Sequence, residues 1–394
     1  MAEIKHRSDV GAVILRLLNG LKHTPQTIGA LLGIDSGELE RVIQGKAGLS
    51  AEIEAKLVSV RGINQREFYP GEWQHLFPVL DDTNKGVVIC RKEDTVKSCR
   101  TITRGPDQVP YYIYADTAMS NLSSLRPEWI KQLYVNDGED ADSLPDWAFN
   151  KGHLEHQVTY FIGSVNFHWK DKNGKKYVRQ TTTGDINYIV PFVPHSFTTR
   201  TEGEGLILAV TYGGQIARQD FRSKISSLDM SSYLRLAKKQ HFHWDVGQHG
   251  VDILPISDFK SNRQRASFRF MNLVILGYQS WTQIALIKLK EVSFTQQSEK
   301  WGYNTGDSEI HVVAGSNKFL LKPGDSFFVK PDEKSDKITQ LVRKGKGAGE
   351  ILIVCPSPDE NLPYADPYSE LAMIKKYAGE EALKRVHTET TRWY

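Results

Sequence analysis

The sequence predicts a mainly β chain with an α-helical N-terminal domain: a helix-turn-helix-like module followed by two antiparallel barrels of the jelly-roll type. Three observations predict this. Apolar residues at helical spacing gather in the first sixty positions. From Trp73 onward, short runs of β-branched and aromatic residues are punctuated by Gly, Asp, Asn and Pro. Two strand-rich regions then carry one pattern. TTTGDINYIVPFVPHSF in the first and LLKPGDSFFVKPDEKSD in the second both read Gly-Asp, short apolar strand, proline. The expected units are a helical domain over 1–62, a barrel over 63–220, a linker with a helix over 221–262, a barrel over 263–356 and a helical tail over 357–394.

The helical domain comes first. VILRLLNGL, TPQTIGALLG and SGELERVIQG have helical periodicity, separated by turn signals at Gly20 and Gly33. Thr24-Pro25 reads as an N-cap with proline at the first helical position, and Asp35 or Ser36 can cap the next helix. Two short helices joined at Gly33-Ile34 suggest a helix-turn-helix. DNA is an unfavourable partner for it. Residues 1–60 hold seven basic and seven acidic residues, and Asp35, Glu38 and Glu40 on the would-be recognition helix would face phosphates. A structural or oligomer-building role suits the unit better.

In the first strand region, GVVICR, YYIYADT, VTYFIGSVNFHW, KKYVRQTTT and LILAVTYG read as strands, with DKNG at Asp171–Gly174 as a hairpin turn. In the second, IALIKLKEVSF, EIHVVAGS, KFLLKPGDSFFVKP and EILIVCP do the same. SLDMSSYLRLAKKQ between them and YSELAMIKKYAGEEALKRV at the end are helix-prone. The net charge of +3 gives no electrostatic argument for nucleic acid or a membrane surface. The longest apolar runs, such as MNLVILGY, are too short to span a bilayer. Three scattered cysteines and a charged start, MAEIKHRSDV, make the cytoplasm the expected location.

The chemistry gathers in NKGHLEHQVTYFIG, Asn150 to Gly163. On a strand, residues four apart share a face, so His153 and Gln157 point one way and His156 the other. The Gly184-Asp185 turn, followed by a strand and Pro-x-x-Pro-His, resembles the second motif of the cupins, which are small antiparallel barrels. That frame brings His195 to the end of a strand, as a third donor beside His153 and Gln157. Two histidines and one oxygen donor with open positions is the facial arrangement of non-heme Fe(II) oxygenases. A glutamine brings no charge, so the set would hold an empty-site iron less tightly and an anionic substrate, a phosphonate or a carboxylate, more tightly. The second barrel has Pro331-Asp332-Glu333 where the first has Pro194-His195, and is expected to hold no metal. His241, His243 and His249 lack completing ligands, and His168 has no evident partner.

Together, the helical start, the double barrel and HxxxQ…PH resemble the methylphosphonate synthases and their relatives, the hydroxyethylphosphonate dioxygenases and hydroxypropylphosphonate epoxidases. Gln157 stands where the epoxidases have a glutamate, and Ile189, six before His195, stands where the dioxygenases have their carboxylate. The resemblance implies Fe(II) on His153, Gln157 and His195. It implies a phosphonate held by Arg104, Tyr112 (or its neighbour Tyr111), Asn150 and Lys22, with Lys22 also catalytic and supplied by a neighbouring subunit of a homo-oligomer. The implied reaction is O2-dependent C–C cleavage of 2-hydroxyethylphosphonate to methylphosphonate and carbon dioxide, with no external reductant. Hydroxymethylphosphonate and formate are the alternative products. A ligand-sensing helix-turn-helix regulator is the rival of another class.

Overall fold

The computed structural model describes residues 7–69, 71–123, 125–150, 156–171, 174–189, 193–212, 251–253, 257–261, 266–272, 283–296, 299–332, 338–347 and 349–355. His153, the three histidines of QHFHWDVGQHG and the two helix-prone stretches beyond Tyr212 lie outside these residues.

The N-terminal region is helical: α1 (Arg7–Gly20), α2 (Pro25–Leu32), α3 (Ser36–Ile43) and α4 (Ala51–Val58). The capping groups are those the sequence offers. Thr24 Oγ1 accepts from Thr27 N at 3.0 Å, Asp35 from Glu38 N at 2.8 Å and Ser50 from Ile53 N at 3.2 Å. Between Asp35 and Ser36, Asp35 is therefore the cap. The apolar stripes of α1 to α4 close on Val13, Leu17, Leu18, Leu39 and Leu57. Met119, from the β region, completes that core and ties the helices to the barrels.

The strands are β1 (Val87–Cys90), β2 (Arg100–Arg104), β3 (Val109–Asp116), β4 (Leu125–Gln132), β5 (His156–Ile162), β6 (Val165–Lys170), β7 (Lys176–Thr181), β8 (Ile186–Ile189), β9 (His195–Thr199), β10 (Leu206–Tyr212) and β11 (Val251–Ile253). They continue with β12 (Ser257–Ser261), β13 (Ala266–Asn272), β14 (Gln283–Leu289), β15 (Glu291–Thr295), β16 (Lys300–Asn304), β17 (Ile310–Ala314), β18 (Asn317–Leu321), β19 (Ser326–Val329), β20 (Ile338–Arg343) and β21 (Glu350–Cys355). A short helix, α5 (Lys92–Lys97), follows β1.

The strands form two sheet pairs. A seven-stranded sheet, β11-β8-β5-β10-β4-β3-β2, accompanies a three-stranded one, β7-β6-β9. A second seven-stranded sheet, β1-β19-β16-β21-β14-β13-β12, accompanies β15-β20-β17-β18. The two large sheets have the same order, strand for strand. The repeat seen in the sequence extends to its turns. Asp185 accepts the N–H of Thr182 at 2.8 Å and Asp325 that of Lys322 at 2.9 Å. The residue before each aspartate is a glycine at positive φ, 97° at Gly184 and 82° at Gly324.

The barrels trade edge strands, and here the sequence-based boundaries need correction. β1 lies within the expected first barrel but pairs with β19 of the second, Val87 opposite Val329. β11 lies within the expected linker but pairs with β8 of the first, Val251 opposite Ile189. A strand's place depends on which edge has free backbone groups, which chain position does not reveal. The outer faces of the two large sheets pack together. Trp129 meets Tyr303 at 4.6 Å between ring centroids, and Trp301, Phe328, Leu352 and Val354 join the same core as Leu208 and Val210.

Two buried histidines are expected to make the fold acid-sensitive. His168 on β6 is fully buried, with Nε2 3.1 Å from Thr198 Oγ1. His23 follows α1. Burial holds both imidazoles down at about 4, from an ordinary 6.5, and the nearby Arg100 charge adds to the effect at His23. A depressed folded value means stability present above 6.5 that is lost as pH falls toward 4. Each group contributes on the order of 3 kcal/mol at most. His168→Gln is expected to flatten the loss of urea midpoint between pH 7 and pH 4. An unchanged slope would mean that His168 takes no part in it.

Candidate active site

The site lies on the inward face of the first large sheet. Register decides its members. Gln157 on β5 is opposite Thr211 on β10, and Thr159 is opposite Ala209. Further along the same face come Ile130 and Glu128 on β4, then Tyr112 and Tyr114 on β3. His195 opens β9 in the facing three-stranded sheet. A single cavity is lined by Lys22, Arg104, Tyr112, Asn150, Gln157 and His195 together with Tyr114 and Thr211. Every described residue that the sequence nominated therefore meets in one place.

His195 is fixed on three sides. Its Nδ1 is 2.8 Å from Val193 O, so the ring proton sits on Nδ1 and Nε2 carries the lone pair. Asn150 Nδ2 lies 3.0 Å from that Nε2, and Asn150 Oδ1 accepts the His195 backbone N–H at 2.8 Å. Asn150 N donates to His195 O at 3.0 Å. Asn150, read from the sequence as a substrate contact, is thus also what holds His195. Gln157 Nε2 donates to Thr159 Oγ1 at 2.9 Å, which turns the nitrogen end of the amide along the strand.

Arg104 is 5% exposed. Its Nη1 donates to Ala148 O and, at 3.4 Å, to Ser196 Oγ. Its guanidinium lies 4.7 Å from the Tyr111 ring centroid and 4.9 Å from that of Tyr112, in cation–π distance. Its Nε has no hydrogen-bond partner, and among the described residues no carboxylate pairs with it. A buried cation in this condition is costly unless an anion lies beside it. Of the adjacent tyrosines, Tyr112 lines the cavity, with its Oη accepting from Phe197 N at 2.9 Å. Tyr111 instead stacks on Tyr134, centroids 5.1 Å apart, beneath Trp147.

Lys22 enters from the turn after α1 and is 3% exposed. It lines the cavity together with Arg104, Asn150 and Gln157. Its φ of 54° lies in the left-handed region, where a lysine is strained. Arg100 holds that turn in place. Its Nη2 donates to Leu21 O at 2.8 Å and to Glu128 Oε1 at 2.8 Å, its Nε reaches Lys22 O at 3.3 Å, and its Nη1 pairs with Asp116 at 2.8 Å. Burial raises the Glu128 carboxyl above its ordinary value, against the charges of Lys22 and Arg100. Sequence reading missed Arg100 and Glu128. Arg100 opens the strand that ends in Arg104 and Glu128 lies on β4, and only the register brings them under Lys22.

The second barrel's interior differs at the matching positions. Lys300, opposite the last residue of β19, stands where Gln157 stands opposite the last of β8. Gly302 and Phe327 replace Thr159 and Asn187. A Cβ at Gly302 would lie 2.4 Å from the Phe327 ring, so glycine makes room for an aromatic filling. Phe327, Val329, Ile351 and Ile353 occupy that interior.

Comparison with known proteins agrees with the sequence resemblance. The chain is 40% identical over 222 residues to the methylphosphonate synthase of Nitrosopumilus maritimus strain SCM1, an alignment covering 56% of this chain and 46% of that protein. The match thus spans about half the length of that relative. A solved Streptomyces albus HEPD with 2-hydroxyethylphosphonate and Fe(II) bound superposes with a TM-score of 0.57 at 24% identity, over 98% of this chain and 99% of that one. PhpD with cadmium and HEP superposes with a TM-score of 0.50 at 15% identity, over 96% of this chain and 100% of that one. These solved structures share the fold, which is mainly β and cupin-like. No family model matches the chain.

Proposed function

We propose that the chain is an Fe(II)-dependent oxygenase that cleaves the C–C bond of 2-hydroxyethylphosphonate with O2, giving methylphosphonate and carbon dioxide. The observation that carries the reading is Arg104, a buried guanidinium with no carboxylate beside it among the described residues, in one cavity with Gln157, His195 and Lys22. The relative's name and the ligands of the HEPD structure point the same way.

The donor chemistry fits a ferrous ion. His195 Nε2 is unprotonated and would exchange its contact with Asn150 Nδ2 for the metal, and Gln157 would bind through its amide oxygen, so both would be neutral donors. His153, four residues before Gln157, is the proposed third donor. Bound iron would supply activation of O2. The chain's own residues do the rest. Neutral donors leave the metal's charge for the substrate to balance, so the cavity selects a dianion. Arg104 offers its fork to two phosphonate oxygens. Asn150 and the Tyr112 hydroxyl add directional bonds, and fixing the phosphonate fixes the two carbons relative to the metal. Lys22 brings a proton and a positive charge to the reacting end. The substrate supplies all four electrons that O2 takes up, so atoms balance as methylphosphonate, carbon dioxide and water.

The helices serve this reading as the carrier of Lys22, which explains a helix-turn-helix-like module without a basic face. Anaerobic loading with Fe(II), addition of 2-hydroxyethylphosphonate and air, and phosphorus NMR test it. A methylphosphonate signal is the expected result. Hydroxymethylphosphonate with formate would make the chain a dioxygenase acting at the same site. Absence of turnover by the loaded protein would overturn the proposal.

A further inference from the structure

We infer that Ser196 is a positioning residue: its hydroxyl pins the two tyrosines that shape the corner holding Arg104, and so sets how tightly the site binds a phosphonate. The inference rests on the reading of Arg104 as the phosphonate receptor. Ser196 follows His195 on β9 and is fully buried. Successive residues on a strand face opposite ways, so Ser196 turns away from the cavity that His195 and Phe197 line. It acts on a substrate only through other side chains.

The rings of Tyr111 and Tyr112 stand at 88° to each other, with centroids 4.7 Å apart. The Arg104 guanidinium lies in the corner between them, 4.7 Å from one centroid and 4.9 Å from the other. Cation–π attraction depends on where the ring faces lie, so the corner keeps its shape only while both rings are held. Their hydroxyl ends meet at Ser196 Oγ, 2.8 Å from Tyr111 Oη and 3.3 Å from Tyr112 Oη. Arg104 Nη1 reaches the same oxygen at 3.4 Å. A serine hydroxyl both donates and accepts, so the two tyrosine contacts hold whichever way their protons run. Tyr112 Oη also accepts the Phe197 N–H at 2.9 Å, and Arg104 also donates to Ala148 O. The Tyr111 hydroxyl makes no other hydrogen bond among the described residues, and Tyr111 is fully buried. Losing the serine oxygen would therefore release Tyr111 most, and would leave its hydroxyl unsatisfied in the core. Consecutive residues of β9 thus serve both ends of the site. His195 offers its lone pair to the metal end, while Ser196 and the Phe197 N–H hold the tyrosines at the phosphonate end.

The test is calorimetric titration of the Co(II)-loaded full chain with 2-hydroxyethylphosphonate, beside Co(II) titration of the metal-free chain. Ser196→Ala is expected to weaken phosphonate binding by about 10-fold, the scale of one lost hydrogen bond and one buried hydroxyl left unpaired. Its Co(II) affinity should stay within about threefold of wild type, because His195 keeps its contacts with Val193 O and Asn150. Tyr111→Phe removes the same contact from the other side and should weaken phosphonate binding in the same direction. The double variant should lose no more than Ser196→Ala alone, because partners in one network are not additive. Wild-type phosphonate affinity in Ser196→Ala would overturn the inference, as would full additivity in the double variant. An equal loss of Co(II) affinity would also overturn it, by making Ser196 a packing residue of β9. If Ser196→Ala does not fold, Tyr111→Phe decides alone, and wild-type phosphonate affinity in it would overturn the inference. Arg104→Met separates the two levels. If it binds the phosphonate like the wild type, the reading of Arg104 fails. If it binds weakly while Ser196→Ala binds normally, only the role of Ser196 fails.

Discussion

Arg104→Met is expected to lose about 100- to 1,000-fold in kcat/KM for 2-hydroxyethylphosphonate while leaving the protein at least as stable, within about 1 kcal/mol. The two halves of this expectation share one cause. Each hydrogen bond to a charged partner is worth roughly 1.5–3 kcal/mol, and a two-pronged guanidinium makes two of them to a phosphonate. Without substrate, the same guanidinium is a buried charge with no carboxylate beside it among the described residues. Its contacts with Tyr111, Tyr112 and Ala148 O offset part of the desolvation. A methionine of similar reach removes the charge and keeps the packing. Arg104→Lys keeps the charge but not the fork, and should fall between the two. Steady-state kinetics beside thermal melts decide it. Wild-type kcat/KM would remove Arg104 from substrate binding, and a large fall in melting temperature would make it structural.

Lys22→Met carries the second large effect, and its stability arm has the opposite sign. Turnover is expected to fall by at least about 100-fold, the range for losing a positioned proton donor. Stability at pH 7 should also fall, by about 1–3 kcal/mol, because Lys22 helps to balance Glu128 in a buried setting. The pH dependence follows. The folded value of Glu128 is already raised by burial, and loss of Lys22 raises it further. A raised value means that the penalty applies above it, where the carboxyl must be charged, and fades as pH falls and the proton is taken up. The stability gap between Lys22→Met and wild type should therefore narrow on going from pH 7 to pH 5. A gap that widens would place the lost interaction elsewhere, and full turnover would remove Lys22 from the chemistry.

The sequence was informative where its signals are local. Helix caps at Thr24 and Asp35 follow from side chains that reach a backbone N–H three residues on. The DKNG hairpin appears as Gly174 N donating to Asp171 O at 3.0 Å between paired β6 and β7. The Gly-Asp repeat predicted equivalent strands, β8 and β19, in equivalent places. Gln157 and His195 could be nominated from strand spacing and from the Pro-His that closes the repeat, whereas Arg104, Tyr112 and Asn150 were implied only by the family resemblance.

Non-local relations were decided by the tertiary structure. The exchange of β1 and β11 between barrels depends on which sheet edge is open, and no residue type records that. The choice of Tyr112 over Tyr111 as cavity wall depends on which strand face turns inward after the bulge between Ile102 and Thr103. Lys22 follows a helix end, where a lysine is usually solvated. It is buried because Arg100, 78 positions away, grips the carbonyls of Leu21 and Lys22 and turns the chain inward beside Glu128. Spacing along a strand determined which donors could share a face. Register between strands, set by packing across the barrel, determined which charges lie beside them.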